Sequence, residues 1–208
     1  MATQNREEVL RCSTGALMMI YYVVVGLAIT EALQNTFLND GSFMAARAFS
    51  TENLPKTLLF LALLPTICRF VHGASMHLGV LGEKRYKPLV DFLWFCLQAS
   101  IFYLMAFSLD TLVLFSVFFG ILLLFDAAWL VLLRLLRYVE FGPTEKQWLV
   151  SDTVISSALA LYVICRVDEC ITDASAASLI LLVAVAATVW DYVANRDFYF
   201  PKQNPAGP

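Results

Sequence analysis

Six stretches of about 20 apolar residues recur along the chain, and they leave it few folds to choose from. They run approximately over residues 13–33, 57–77, 88–108, 111–133, 148–167 and 174–195. A helix rising about 1.5 Å per residue crosses a hydrocarbon core of about 30 Å in that length. Inside hydrocarbon each backbone N–H and C=O has to find its partner within the protein, and a helix achieves this within one segment.

Composition points the same way. The 208 residues are 60% hydrophobic and 15% charged, whereas soluble domains are about 45–50% apolar and about 25% charged. A water-soluble fold of this size has too much surface for its volume to hide that excess. The chain therefore reads as an all-α integral membrane protein: a bundle of six transmembrane helices in a single domain, residues 1–208, with no soluble domain. Any activity has to sit within the bundle or on its rims.

Local signals set the expected ends of the spans. The first opens at a Ser13-Thr14 cap, Pro55 leads into the second, and Pro88 takes the first helical position of the third. The third and fourth form one apolar block, divided at Leu109-Asp110 because an unbroken helix would overshoot the bilayer. The fifth is expected from Trp148. The polar start, MATQNREEVLRCS, does not have the pattern of a cleavable signal peptide. The connection over residues 34–56 is the longest, and its SFMAARAF segment suits a short helix lying on the membrane.

Basic residues orient the bundle. Ten of the fourteen lysines and arginines fall on the N-terminal segment, the second and fourth connections and the tail: Arg6, Arg11, Lys84, Arg85, Lys87, Arg134, Arg137, Lys146, Arg196 and Lys202. The positive-inside rule then puts both termini in the cytoplasm, in agreement with an even number of spans. A net charge of −3 argues against a nucleic-acid partner.

Ionisable groups cost several kcal/mol within a bilayer unless they are paired or hydrated. Arg69 and His72 lie one turn apart on the second span, just after Pro65; Asp126 lies on the fourth and Asp191 on the sixth. With this topology all four fall in the cytoplasmic half, at similar depth. They are the candidate site: a polar layer that would bind an ion, a proton or a small polar solute. Pro65 supports it by removing a backbone hydrogen bond and freeing the Leu61 carbonyl. Asp91 and Asp152 lie at the cytoplasmic starts of the third and fifth spans, and are read as helix caps favoured by the dipole. The structural alternative for the layer is that Arg69 pairs with Asp126 or Asp191 and pins the bundle. Glu31 stands apart, at the outer end of the first span.

Other chemistry finds little footing. His72 and His77 are five residues apart, about 140° around a helix, which is wrong for sharing a metal and for a bis-histidine haem; no cofactor or metal is expected. The chain has no phosphate-binding glycine loop, no HExxH and no Gly-x-Ser-x-Gly. The run from Asp40 to Arg47 has the wrong spacing for a lipid-headgroup transferase. Arg134 and Arg137 suit a topology anchor better than a voltage sensor. Cys165 and Cys170 are the one pair close enough in sequence to suggest a disulfide.

Trp94, Trp129, Trp148 and Trp190 fit an interfacial belt. Asp91 and Trp94, like Asp126 and Trp129, share an Asp-x-x-Trp spacing that chance explains. Ser156, Ser157, Ala158 and Ala160, with Ala184, Ala186 and Ala187, offer small surfaces for close helix contact. Phe198, Tyr199 and Phe200 are expected to rest at the cytoplasmic interface. The leading functional expectation is a small channel or transporter, working as a homo-oligomer in the lipid bilayer. The alternative is a non-transporting subunit that organises a cytoplasmic protein partner, and a third reading is an intramembrane enzyme acting on lipid or quinone.

Overall fold

The structure, a computed structural model, describes residues 2–39, 42–43, 49–77, 88–136, 142–165 and 172–201. It is a helical bundle of α1 (Ala2–Phe37), α2 (Leu54–Met76), α3 (Pro88–Phe107), α4 (Leu112–Leu135), α5 (Pro143–Cys165), α6 (Asp173–Ala194) and the short α7 (Arg196–Tyr199). A two-residue antiparallel pair follows α1, with β1 (Leu38–Asn39) against β2 (Ser42–Phe43) and Leu38 opposite Phe43. Residues 44–48 of the SFMAARAF segment lie outside the described residues, as do Cys170 and the side chain of Cys165.

Among the described residues, five helices are long and apolar enough to cross a membrane: α1 from Gly15, α2, α4, α5 to Ile164 and α6. In α3 the described apolar stretch is shorter, Phe92–Phe107. The chain thus has the build of a multi-pass membrane protein.

Two helix starts differ from expectation. The first helix begins at Ala2 and passes through Ser13 without stopping. The fifth begins at Pro143 rather than Trp148. Proline fits that first position because its missing N–H would have had no partner there, and Glu145 follows in the first turn, where its charge suits the dipole. The start of α6 is set by Thr172, whose Oγ1 accepts from the Ser175 N–H at 3.3 Å, with Asp173 next to it.

The bundle is built around α2. It packs closely along α6 and also meets α1, α3 and α4. Around it α1 lies on α3, α3 on α4 and α4 on α5, while α5 and α6 barely meet. Half the spanning stretch of α2 and of α4 is buried in the bundle, against 11% of α5. The core is apolar and aromatic, with Leu59, Leu63, Phe102, Phe115, Leu122 and Leu123 almost fully enclosed.

The two ends of the bundle differ. At one, Lys56 Nζ at the start of α2 meets Asp110 Oδ1 of the α3–α4 turn at 2.5 Å. Nearby, Asn35 Nδ2 donates to the Ala106 carbonyl at 3.1 Å and Tyr103 Oη to Glu31 at 3.4 Å. The opposite end holds the buried charged groups Arg69, Asp152 and Asp191.

Candidate functional site

Arg69 sits on the central helix with its side chain 8% exposed. No guanidinium persists in such a place without counter-charge, because desolvation costs several kcal/mol. Its Nη2 donates to Asp152 Oδ1 at 2.6 Å, and its Nε lies 3.9 Å from Asp191 Oδ2. Its Cζ stands 4.8 Å from the centre of the Phe70 ring, close enough for a cation–π contribution. The first partner of Arg69 is therefore Asp152, which is completely buried. The cap reading of Asp152 fails because α5 starts at Pro143, which places Asp152 in the third turn, facing inward. Asp91 lies in the first turn of α3, and its side chain is outside the described residues.

Asp191, near the end of α6, is enclosed by donors. Its Oδ1 accepts from Trp148 Nε1 at 2.5 Å and from Asn195 Nδ2 at 2.7 Å, and its Oδ2 accepts from Tyr199 Oη at 2.5 Å. The tail makes this possible. After Asn195 the chain turns into α7, and Tyr199 comes back into the bundle with 3% exposure. The expectation that Phe198, Tyr199 and Phe200 rest together at the interface is corrected for Tyr199, since an unmet buried carboxylate gains more from a phenol than a membrane surface does. Phe200 is exposed.

Asp126 of α4 accepts from Gln98 Nε2 of α3 at 3.2 Å and neighbours Asp152 across the closely packed α4–α5 pair. Among the described residues, Gln98 Oε1 and Asp152 Oδ2 are buried acceptors with no donor. Tyr21 of α1, 1% exposed, lies on the Asp126 side of the layer.

A cavity of about 60 Å³ opens among these groups, large enough for a few waters. Arg69, Gln98, Asp126, Glu145, Asp191 and Tyr199 supply its polar lining, and Phe95, Trp129 and Trp148 are among its apolar walls. Arg69, Asp126 and Asp191 thus converge on one space from α2, α4 and α6. His72 does not line it. Its Nδ1 is 3.1 Å from Tyr192 Oη, and its ring lies among Tyr192, Tyr199 and Phe200, so it steadies the returning tail. Pro65 sits within α2, and its carbonyl accepts from Thr188 Oγ1 of α6 at 3.3 Å, clipping the two helices together.

The aromatic residues turn inward. Trp94 stacks on Phe125 at 4.0 Å and on Trp129 at 5.0 Å between ring centroids. Trp129 is 3% exposed. The belt reading holds in exposure for Trp190 alone, at 62%. It is corrected for Trp129, because depth along a helix says nothing about which way a side chain faces, while Trp94 and Trp148 are half-buried. Trp148, Gln98, Tyr199 and Asn195 were all missed as site residues. Pro143 was the available signal for Asp152, and the polar Gln98 in an apolar span was the signal for the α3 contribution.

Among the described residues, no group of three or more His, Cys, Asp or Glu is arranged to hold a metal ion. Compared with known protein families, curated proteins and solved structures, the chain matches none.

Proposed function

We propose that this protein is a six-span membrane channel or transporter, with both ends in the cytoplasm, that moves an ion or small polar solute through the Arg69–Asp126–Asp191 layer. The observation that carries the reading is the small cavity bounded by one guanidinium and several carboxyl groups, inside an otherwise apolar bundle. Such groups are expensive in hydrocarbon, and fixing a bundle in place requires fewer of them. The sixth span is α3, whose apolar stretch extends toward Pro88. A homo-oligomer accords with the broad apolar face of α5, which the chain itself leaves open.

Flux into liposomes containing the purified protein is the test. Asp126→Asn and Arg69→Ala are each expected to lower it about tenfold or more, the loss expected when about 1.4 kcal/mol of binding is removed. No flux under any ionic condition, or flux in both variants unchanged from wild type, sinks the reading.

The saturation of Asp191 favours a second reading. Three hydrogen bonds and a nearby guanidinium are what a structural clamp needs. On that reading the protein organises a partner at its cytoplasmic rim, and a stoichiometric partner co-purifies and is lost when residues after Asn195 are removed.

A further inference from the structure

Charge does not balance in the buried layer. Among the described residues, Arg69 is the one guanidinium against the carboxyls of Asp126, Asp152 and Asp191. The three are not equivalent. Asp191 is satisfied on both oxygens by Trp148, Asn195 and Tyr199. Asp152 takes the Arg69 hydrogen bond on Oδ1. Asp126 has only the amide of Gln98, at 3.2 Å.

Two acceptors at this spot also lack donors. Asp152 Oδ2 and Gln98 Oε1 are unpartnered, on residues 0% and 1% exposed. An unmet buried acceptor is costly, and both orphans flank Asp126. What the described residues leave wanting here is one positive charge that brings a hydrogen-bond donor. Asp152 is fully buried and Asp126 half-buried beside the cavity; two adjacent carboxylates so enclosed repel one another, and a shared proton is the ordinary solution. A metal ion suits the place less well, because the carboxyls do not form a cluster of three around a point.

We propose that Asp126 and Asp152 share one proton, and that this proton is the species the layer exchanges with the cavity. On loading, the proton binds one carboxyl and its O–H points at the other. On release, that O–H bond breaks, the proton passes to water in the cavity beside Asp126, and two carboxylates remain near Arg69. The guanidinium stays in place throughout, so one unit of charge moves per event.

The groups facing the pair set the balance. On α2 this is Arg69 and, at the cap that ends it, His77 on the cavity wall. On α1 there is Tyr21, and on α3 Gln98 and, beside Tyr21, the Cys96 thiol. Glu145 of α5, Asp191 of α6 and Tyr199 of α7 complete the ring. The proton's role in flux rests on the transport reading above, while the proton site itself stands on the geometry of the pair.

Infrared spectroscopy of the protein in lipid nanodiscs tests the site directly. With aspartate carrying carbon-13 at its side-chain carboxyl, the wild type is expected to show a protonated-carboxyl stretch at neutral pH that moves with the label and disappears on alkaline titration. Absence of that band overturns the proposal. Asp126→Asn should remove it, and a band unchanged in that variant overturns the assignment. Should Asp126→Asn fail to fold, Asp126→Glu decides, because the band should pass from labelled aspartate to labelled glutamate; a band that stays with aspartate overturns the proposal. Raising sodium at fixed pH should leave the band unaltered, and a band that sodium abolishes assigns the site to a metal cation instead. A band with these properties in a protein that moves nothing keeps the proton site and sinks transport. Flux without the band does the reverse.

Discussion

Arg69 illustrates how a buried charge depends on its neighbours. Replacing it with leucine leaves Asp152 and Asp191 without their common counter-charge, and removing one partner of a buried pair costs about 3–5 kcal/mol. Arg69→Leu is therefore expected to lower stability by that amount, read as thermal unfolding in detergent. Adding Asp152→Asn to it should recover a large part of the loss, because the double variant removes the charge that was stranded. A double-variant cost equal to the sum of the two singles would show that the residues are not coupled. The existence of this layer was legible in the sequence, since charges in apolar spans stand out. Its pairing was not. Whether Arg69 meets Asp152, Asp126 or Asp191 depends on helix azimuth and neighbour order, and apolar runs carry little of either.

At the level of elements, one misplaced helix start changed a residue's role. Reading α5 from Trp148 puts Asp152 at a helix end; reading it from Pro143 puts the same aspartate in the third turn and inside the bundle. Hydropathy alone misses such polar first turns, whereas proline at a first helical position marks them. The short α7 was illegible for another reason: nothing local in Arg196–Tyr199 announces that the chain doubles back, because the reward lies at Asp191. Removing the phenol oxygen should cost about 1.5–3 kcal/mol, the range for a hydrogen bond to a charged group. Burial, reinforced by the Asp191 charge beside it, pushes the Tyr199 phenol above its ordinary 10.0. Ionisation in the folded state is thus disfavoured, so the stability is intact below about pH 10 and declines above it as the unfolded chain loses the proton. Melting temperature against pH should show this decline in wild type and a weaker one in Tyr199→Phe; parallel curves would refute the assignment.

For the whole molecule, the two ends of the bundle divide the work. The Lys56–Asp110 pair ties two connections together at one end, and with Asp110 66% exposed it contributes at most about 1 kcal/mol. The buried layer occupies the other end, the one that the proposed topology places in the cytoplasm. Single cysteines introduced near Arg6 and near Lys202, in a background stripped of native cysteines, should both react with a membrane-impermeant thiol reagent only after cells are opened. Labelling of either one in intact cells would break the six-span topology. The stacked pair of Trp94 and Trp129 carries a practical consequence. Two indoles 5.0 Å apart and 26° from coplanar couple their electronic transitions, and Trp129 forms part of the cavity wall. Near-ultraviolet circular dichroism should therefore contain an exciton couplet whose amplitude follows whatever enters that space, a built-in optical gauge that needs no dye.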